Sequence, residues 1–451
     1  MKITALFNDK KFYTVLFAIA IPIMLQNLVN SFVNMVDTVM IGQLGTVEIA
    51  GVGLANNFFF LLHMLLFGAA SGAGVFTAQF WGKKDIAGIR KNTGLCILIV
   101  IIISSFFTLV SLFAPEQVLG LYSKDPAVIK TGATYLKAVA PCFIPFSISF
   151  VFILVMRTIE KVKLAMVVTF ISLSINVLFN WLLIFGIGPF PALGVKGAAL
   201  ATVLARFIEV ILLVSISYTK KYALAGTLKE LFGFDIVFVK RYFVIAFPVI
   251  INELLWALGV AMQNIIFART HTDAIAAFNI VNTLSQLTWV VFIGLGNGGS
   301  VLIGKKIGEG HEKTAREYAS RLTLFAPLLA VGVALFIIPI SWILPFVFNV
   351  SDNVFTIIGG MIIIMACSYP FRAFNMSMII GVCRAGGDTI YTVFYDIVFT
   401  WTVTLPLAAT AAFVFGLPAW IIYLCVTLDD PLKMIFGLVR LRSGKWLHNV
   451  T

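Results

Sequence analysis

Long apolar runs recur along the whole sequence and are the feature that most limits its possible folds. The chain is 60% hydrophobic and only 12% charged, and its mean hydropathy is +1.03. A soluble domain of this size would need a more polar surface, whereas roughly 20 consecutive apolar residues let a helix cross a bilayer. The sequence therefore predicts an all-α membrane protein with twelve transmembrane helices, at about 12–42, 47–81, 92–114, 128–156, 164–186, 195–218, 241–268, 273–304, 318–347, 353–383, 389–415 and 418–439.

An internal repeat divides the chain into two halves. Residues 18–82 recur without gaps 226 positions later, with prolines, asparagines and glycines in register: Pro22 and Pro248, Asn56 and Asn282, Gly68 and Gly294, Gly72 and Gly298, Gly82 and Gly308. Such residues mark kinks, close approaches and turns, so their agreement is more informative than matches between leucines. We predict an N-lobe over residues 1–225 and a C-lobe over 226–451. Each lobe would form a six-helix bundle, and the two would be related by a pseudo-twofold axis along the membrane normal.

The repeated prolines lie inside the first helix of each lobe. A proline in a membrane helix frees a carbonyl and bends the helix, which neighbouring helices can accommodate. Pro22 and Pro248 therefore either serve static packing or form hinges that bend during a transport cycle.

Basic residues are concentrated on one side of the predicted topology. Of the 32 Lys and Arg residues, 24 lie in the segments assigned to the cytoplasm, four lie on the other side, and four lie within predicted spans. This distribution follows the positive-inside rule and places both termini in the cytoplasm. The net charge of +12 is thus explained by topology, and we expect a multi-pass protein of the cell membrane that contacts lipid and binds no nucleic acid.

Four polar residues on three predicted helices of the N-lobe fall at the same depth in the membrane. Asp37 stands five residues from the outer end of helix 1, and Asn180 stands six residues from the outer end of helix 5. Asn176 is four residues from Asn180 on the same helix face, and Thr202 lies about seven residues into helix 6. Charged residues in the hydrocarbon core usually face a cavity or a partner, and oxygen donors suit a proton or a small cation. The sequence predicts a cation or proton site here, with Na⁺ at Asp37, Asn176 and Asn180 as one form; the alternative is a structural polar cluster.

The C-lobe carries intramembrane charge at a different depth. Glu253 lies near the middle of helix 7, while the repeat places Gln263 opposite Asp37. Arg372 and Asp396, in helices 10 and 11, have no opposite charge nearby in their own helices. We predict a substrate site or second coupling site at Glu253, Gln263, Arg372 and Asp396.

Two further groups of charges have opposite charges within one helical turn. Arg206 and Glu209 are three residues apart, and Asp429 or Asp430 can reach Lys433 in helix 12. We predict that these are structural ion pairs.

The sequence resembles the multidrug and toxic compound extrusion (MATE) transporters, and specifically their NorM-like branch. The resemblance rests on the proline-bearing first helix that ends in Asp37-Thr38-Val39-Met40-Ile41-Gly42, on the segment Gly194-Val195-Lys196-Gly197-Ala198-Ala199-Leu200-Ala201-Thr202, on Arg384-Ala385-Gly386-Gly387-Asp388-Thr389, and on the basic C-terminal tail with Trp446. It implies two bundles forming a V, with a central cavity open alternately to either side. It also implies efflux of organic, often cationic and aromatic compounds driven by H⁺ or Na⁺.

The resemblance also bears on particular residues. Asp37, Asn176 and Asn180 resemble the N-lobe cation site of the family, and Glu253 resembles the helix 7 acid of the NorM-like branch. That branch usually has a carboxylate in helix 10, where this chain reads Phe371-Arg372-Ala373-Phe374-Asn375. The sequence therefore departs from the family pattern in the C-lobe.

We expect a monomeric secondary antiporter for small organic molecules, with H⁺ or Na⁺ as coupling ion and no cofactor. The alternative within transport is a lipid-linked saccharide flippase, which would need several cationic side chains for pyrophosphate; the C-lobe offers Arg372. An intramembrane enzyme is disfavoured because there is no HExxH-like spacing, and a channel because no filter-like repeated loop is visible.

Overall fold

The computed structural model describes residues 9–340 and 351–451, and its regular elements there are helical apart from one isolated bridge between Gly387 and Leu447. We number the long helices α1 to α12. They are α1 Lys10–Gly42, α2 Thr46–Lys83, α3 Ile86–Phe113, α4 Pro126–Thr158, α5 Val162–Phe185, α6 Val195–Thr219, α7 Ile236–Ala268, α8 Thr272–Gly308, α9 Glu312–Ile337, α10 Asp352–Arg384, α11 Thr389–Phe413 and α12, which has two segments, Ala419–Thr427 and Asp429–Ser443.

The predicted spans agree with these helices to within a few residues at most ends. Eleven helices of the described residues, α1 to α11, are long and apolar enough to cross a membrane. The first turn of the second segment of α12 carries Asp429 and Asp430, and the helix is interrupted just before it, at Leu428. The predicted third and ninth spans were wrong in their starts, because α3 already begins at Ile86 and α9 at Glu312. Residues 341–347 of that predicted span lie outside the described residues.

Contacts divide the chain into two compact units at equivalent positions of the repeat. One unit, here the N-unit, is Leu25–Ile250; the other, the C-unit, is Ile251–Thr451 together with the described residues up to Met24. Both boundaries fall two residues after a proline of the repeat. The units therefore differ from the predicted lobes 1–225 and 226–451, because the first half of α1 packs with the C-terminal helices and the first half of α7 packs with the N-terminal ones.

Glycines of the repeat make these helix contacts possible. In the N-unit, a Cβ added to Gly72 of α2 would lie 2.7 Å from the Cα of Ala246 in α7. In the C-unit, Gly298 of α8 packs in the same way on Leu16 and Ala20 of α1. Residues 20 and 246 are equivalent in the repeat, so each unit contains the same helix contact, which only a residue without a side chain allows at such short distance.

Two helices of the C-unit contain wider, π-helical turns. They cover Ser377–Arg384 at the end of α10, and Phe394–Val398 and Thr400–Thr404 in α11. Such turns are rare and occur frequently at functional sites. Here they carry Arg384, Asp396 and Thr400, whose side chains make polar contacts with other helices of the C-unit.

Candidate functional site

A tight hairpin between α5 and α6 brings the polar residues of the N-unit together. The hairpin begins with Gly186 and ends with Gly194, both in the left-handed backbone region that favours glycine. The backbone N–H of Leu193 donates to the carbonyl of Leu183, and Gly197 leaves no room for a side chain against that same carbonyl. The axes of α5 and α6 are therefore close at the level of the predicted site.

The structure brings Asp37, Asn180, Asn176 and Thr202 into one hydrogen-bonded chain. Asn180 Nδ2 donates to Asp37 Oδ1 at 2.6 Å and lies 3.4 Å from Asn176 Oδ1. Asn176 Nδ2 in turn donates to Thr202 Oγ1 at 3.3 Å. Thr202 Oγ1 also donates to the carbonyl of Ala198 one turn earlier, at 3.1 Å. Three helices thus contribute to one polar cluster, as the depth of these residues in the sequence predicts.

The cluster keeps oxygen atoms available for a ligand. Asn180 is 1% exposed, and its Oδ1 is buried without a hydrogen-bond partner among the described residues. Asp37 is half-buried, so its carboxylate combines a protein partner with partial access. An unpartnered amide oxygen beside a carboxylate is the donor set that hard monovalent cations prefer. The arrangement can therefore hold a proton on Asp37 or a small cation between these oxygens.

In the C-unit, the carboxylate of Glu253 forms an ion pair with the guanidinium of Arg384. Arg384 NH2 donates to Glu253 Oε1 at 2.5 Å, and both side chains are buried. Arg384 is the last residue of α10, one residue beyond the predicted end of that span, and it is 3% exposed. The two residues are 131 positions apart, so no local spacing could have indicated the pair.

Arg372 and Asp396, the other two charges predicted for this site, have ion-pair partners too, and both of these partners lie on α12. Arg372 Nε donates to Asp430 at 3.1 Å, and Asp396 Oδ1 lies 3.0 Å from Lys433 Nζ. Gln263 makes no hydrogen bond in the described part of the chain and does not join them. The four predicted residues thus do not form one cluster: three enter separate ion pairs.

The predicted local ion pairs are confirmed. Arg206 NH1 lies 2.8 Å from Glu209, and Lys433 Nζ lies 2.8 Å from Asp429. The sequence indicated neither Lys433 nor Asn252 as a partner of Asp396, although Asn252 Nδ2 donates to Asp396 Oδ2 at 3.2 Å. The sequence did contain an indication of this contact, because Asn252, Asp396 and Lys433 lie at similar depth in predicted helices 7, 11 and 12.

A family model, MatE, matches the chain twice, over residues 22–182 and 248–410. The matches begin at Pro22 and Pro248, which are equivalent in the internal repeat, and together they cover most of the chain. The chain belongs to the MatE family. The resemblance to MATE transporters is thereby confirmed, and this family consists of transporters rather than enzymes.

Among curated MATE relatives, a probable multidrug resistance protein NorM from Thermotoga maritima is 25% identical over 96% of this chain and 92% of its own length. An uncharacterized transporter, YisQ, from Bacillus subtilis is 24% identical over 98% of this chain and 96% of its own. The match to a NorM protein over nearly its full length supports the assignment to the NorM-like branch.

Solved transporter structures show the same fold. A MOP superfamily transporter from Pyrococcus furiosus gives a TM-score of 0.86 at 17% identity, with 96% of each chain covered. An outward-facing multidrug resistance MATE family transporter of the MOP superfamily gives 0.85 at 17% identity, again with 96% of each chain covered. The predicted all-α fold with twelve membrane helices in two bundles is thus confirmed for this MATE protein.

Proposed function

We propose that this MATE protein is a secondary multidrug efflux antiporter of the cell membrane, which exports organic compounds, cationic or aromatic in character, in exchange for H⁺ or Na⁺. Its coupling residues are Asp37, Asn176 and Asn180, with Thr202 completing the cluster. Small organic molecules are its substrates, and it works as a monomer with both termini in the cytoplasm.

The observation that carries this proposal is the Asp37 cluster itself. A carboxylate within a membrane helix is held by Asn180 Nδ2 at 2.6 Å, next to the amide oxygen of the same residue, which has no partner among the described residues. An unmade hydrogen bond in a buried site costs about 1–3 kcal/mol, and a cation bound between this oxygen and the Asp37 carboxylate would offset that cost. A cation that moves inward gains about 2.3 kcal/mol per charge for each 100 mV of membrane potential. Binding at Asp37 can therefore bias one conformation of the protein over another.

The charges of the C-unit do not favour the flippase. Such a protein needs free cationic side chains for pyrophosphate, and the one predicted candidate, Arg372, is bound to Asp430. Two of the relatives are named as probable multidrug resistance proteins, which favours drug efflux over lipid transport.

The proposal is tested with purified protein in proteoliposomes that are loaded with a fluorescent cationic dye. Dye movement is measured under an imposed Na⁺ gradient, under an imposed pH gradient, and with neither. We expect transport with one of the two gradients and none in their absence, and we expect Asp37→Asn to abolish the gradient-driven part.

The matched control is Glu116→Gln, which removes an exposed acid of the same unit outside the cluster. It should retain wild-type transport. Full gradient-driven transport by Asp37→Asn, in protein that is folded and inserted as well as the wild type, would refute the proposed role of Asp37.

A further inference from the structure

Lys433 lies at the centre of a polar group that it forms with Asp429, Asp396 and Thr400 in the C-unit. The residue as a whole is 5% exposed, although lysine is almost never fully buried unless it is paired. The residue stands one turn into the second segment of α12 and faces the π-helical part of α11.

The ammonium group of Lys433 has an acceptor for each of its three protons. Its Nζ lies 2.8 Å from Asp429 Oδ2, 3.0 Å from Asp396 Oδ1 and 3.2 Å from Thr400 Oγ1. A protonated lysine has three donors and no acceptor, so this environment is complete for the ammonium form. The oxygens that surround it, two carboxylates and a hydroxyl, are those that would surround a hard monovalent cation.

A fourth oxygen lies next to this group and has no partner. Asn252 of α7 is 1% exposed and donates through Nδ2 to Asp396 Oδ2 at 3.2 Å. Its Oδ1 is buried and accepts no hydrogen bond from the described residues. The same feature, an amide that donates to an aspartate and keeps its own oxygen unpaired, occurs at Asn180 beside Asp37 in the N-unit. Both units therefore contain an aspartate–asparagine pair of the same kind, but among the described residues a lysine is bound only to the carboxylate of the C-unit pair.

The other charges near Lys433 are Asp430 and Asp429, and they are compensated in different ways. Asp430 is bound by Arg372 Nε and by Asn375 Nδ2, so it is compensated separately. Asp429 is in the first turn of its helix segment, where the helix dipole favours a negative charge. The ammonium is thus the cation shared by Asp396 and Asp429.

We propose that the C-unit contains a monovalent-cation site formed by Asp396, Asp429, Thr400 and Asn252, and that the ammonium of Lys433 occupies it permanently. This unit then exchanges no ion with solution during transport. Removing the ammonium converts the site into one that binds Na⁺ or a small ammonium ion from solution.

The test uses full-length protein in detergent in an Asp37→Asn background, which removes the proposed site of the N-unit and keeps the two proposals separable. Lys433→Ala is added, and the unfolding midpoint is measured in NaCl, methylammonium chloride and choline chloride at equal ionic strength. We expect Lys433→Ala to lower the midpoint in choline, and Na⁺ or methylammonium to restore it with a saturable dependence. Asp396→Asn in the same protein should remove that response.

Lys306→Ala is the matched control, because Lys306 pairs at 2.5 Å with Glu309 three residues away in the same unit. It should show no saturable response to either small cation. Recovery of folded Lys433→Ala only when Na⁺ or methylammonium is present would also support the proposal. A folded Lys433→Ala protein that responds equally to all three salts would refute it.

Should Lys433→Ala fail to fold in every salt, the parent Asp37→Asn protein decides the question. No saturable Na⁺ response in the parent supports a site already occupied by Lys433. A saturable response that Asp396→Asn abolishes shows that solution cations enter the native site, and overturns the proposal.

Discussion

Glu253 is an acid in the middle of a membrane helix, and its carboxylate is bound at 2.5 Å by Arg384. Breaking a buried ion pair leaves an uncompensated charge and typically costs about 3–5 kcal/mol, whereas replacing both partners can be nearly neutral. We therefore expect Glu253→Gln and Arg384→Met each to lower the unfolding midpoint strongly. The double variant should be more stable than the sum of the two effects predicts. The measurement is a double-mutant cycle on thermal unfolding in detergent, and strictly additive effects would show that the pair carries no coupling energy.

The residues also show what the sequence could and could not predict. Depth in the membrane follows from counting along each helix, so the cluster of Asp37, Asn176 and Asn180 was predictable. Arg206 and Glu209 were predictable because one helix fixes their spacing. The partner of Glu253 was not, since hydropathy gives the length and depth of a helix but not which other helix lies beside it. That information resides in contacts between residues more than a hundred positions apart.

At the scale of helices, the close contact between α2 and α7 depends on Gly72. Gly72→Ala should lower the free energy of unfolding by about 1–3 kcal/mol, because its Cβ would lie 2.7 Å from the Cα of Ala246. Gly298→Ala in α8 should cost less, since the nearest atom there is 3.2 Å away on the side chain of Leu16. Gly53 of α2 is the control, as it has no neighbour within 4 Å and its change to alanine removes a poor helix former. Thermal unfolding of the three variants gives the order, and equal losses at all three would contradict it.

At the scale of the whole molecule, α1 and α7 each pass from one packing unit to the other. The passage occurs two residues after Pro22 and Pro248 respectively, at equivalent positions of the repeat. Each proline lacks the N–H that would bond to the carbonyl four residues earlier, so each helix lacks one backbone hydrogen bond close to the boundary between units. The repeat made the equivalence of these prolines predictable, but not the exchange of half-helices between units, which only the contacts show.

The proposed antiport would require the two units to move relative to each other, and we expect α1 and α7 to bend at these two prolines. We expect Pro22→Ala and Pro248→Ala to restore the missing helix hydrogen bond, and so to slow dye efflux while dye binding and the unfolding midpoint are retained. Pro327→Ala serves as the control, because Pro327 lies inside α9 and away from either boundary. Efflux and equilibrium dye binding are measured on the same preparations. Wild-type efflux in both variants would instead assign the two prolines to static packing.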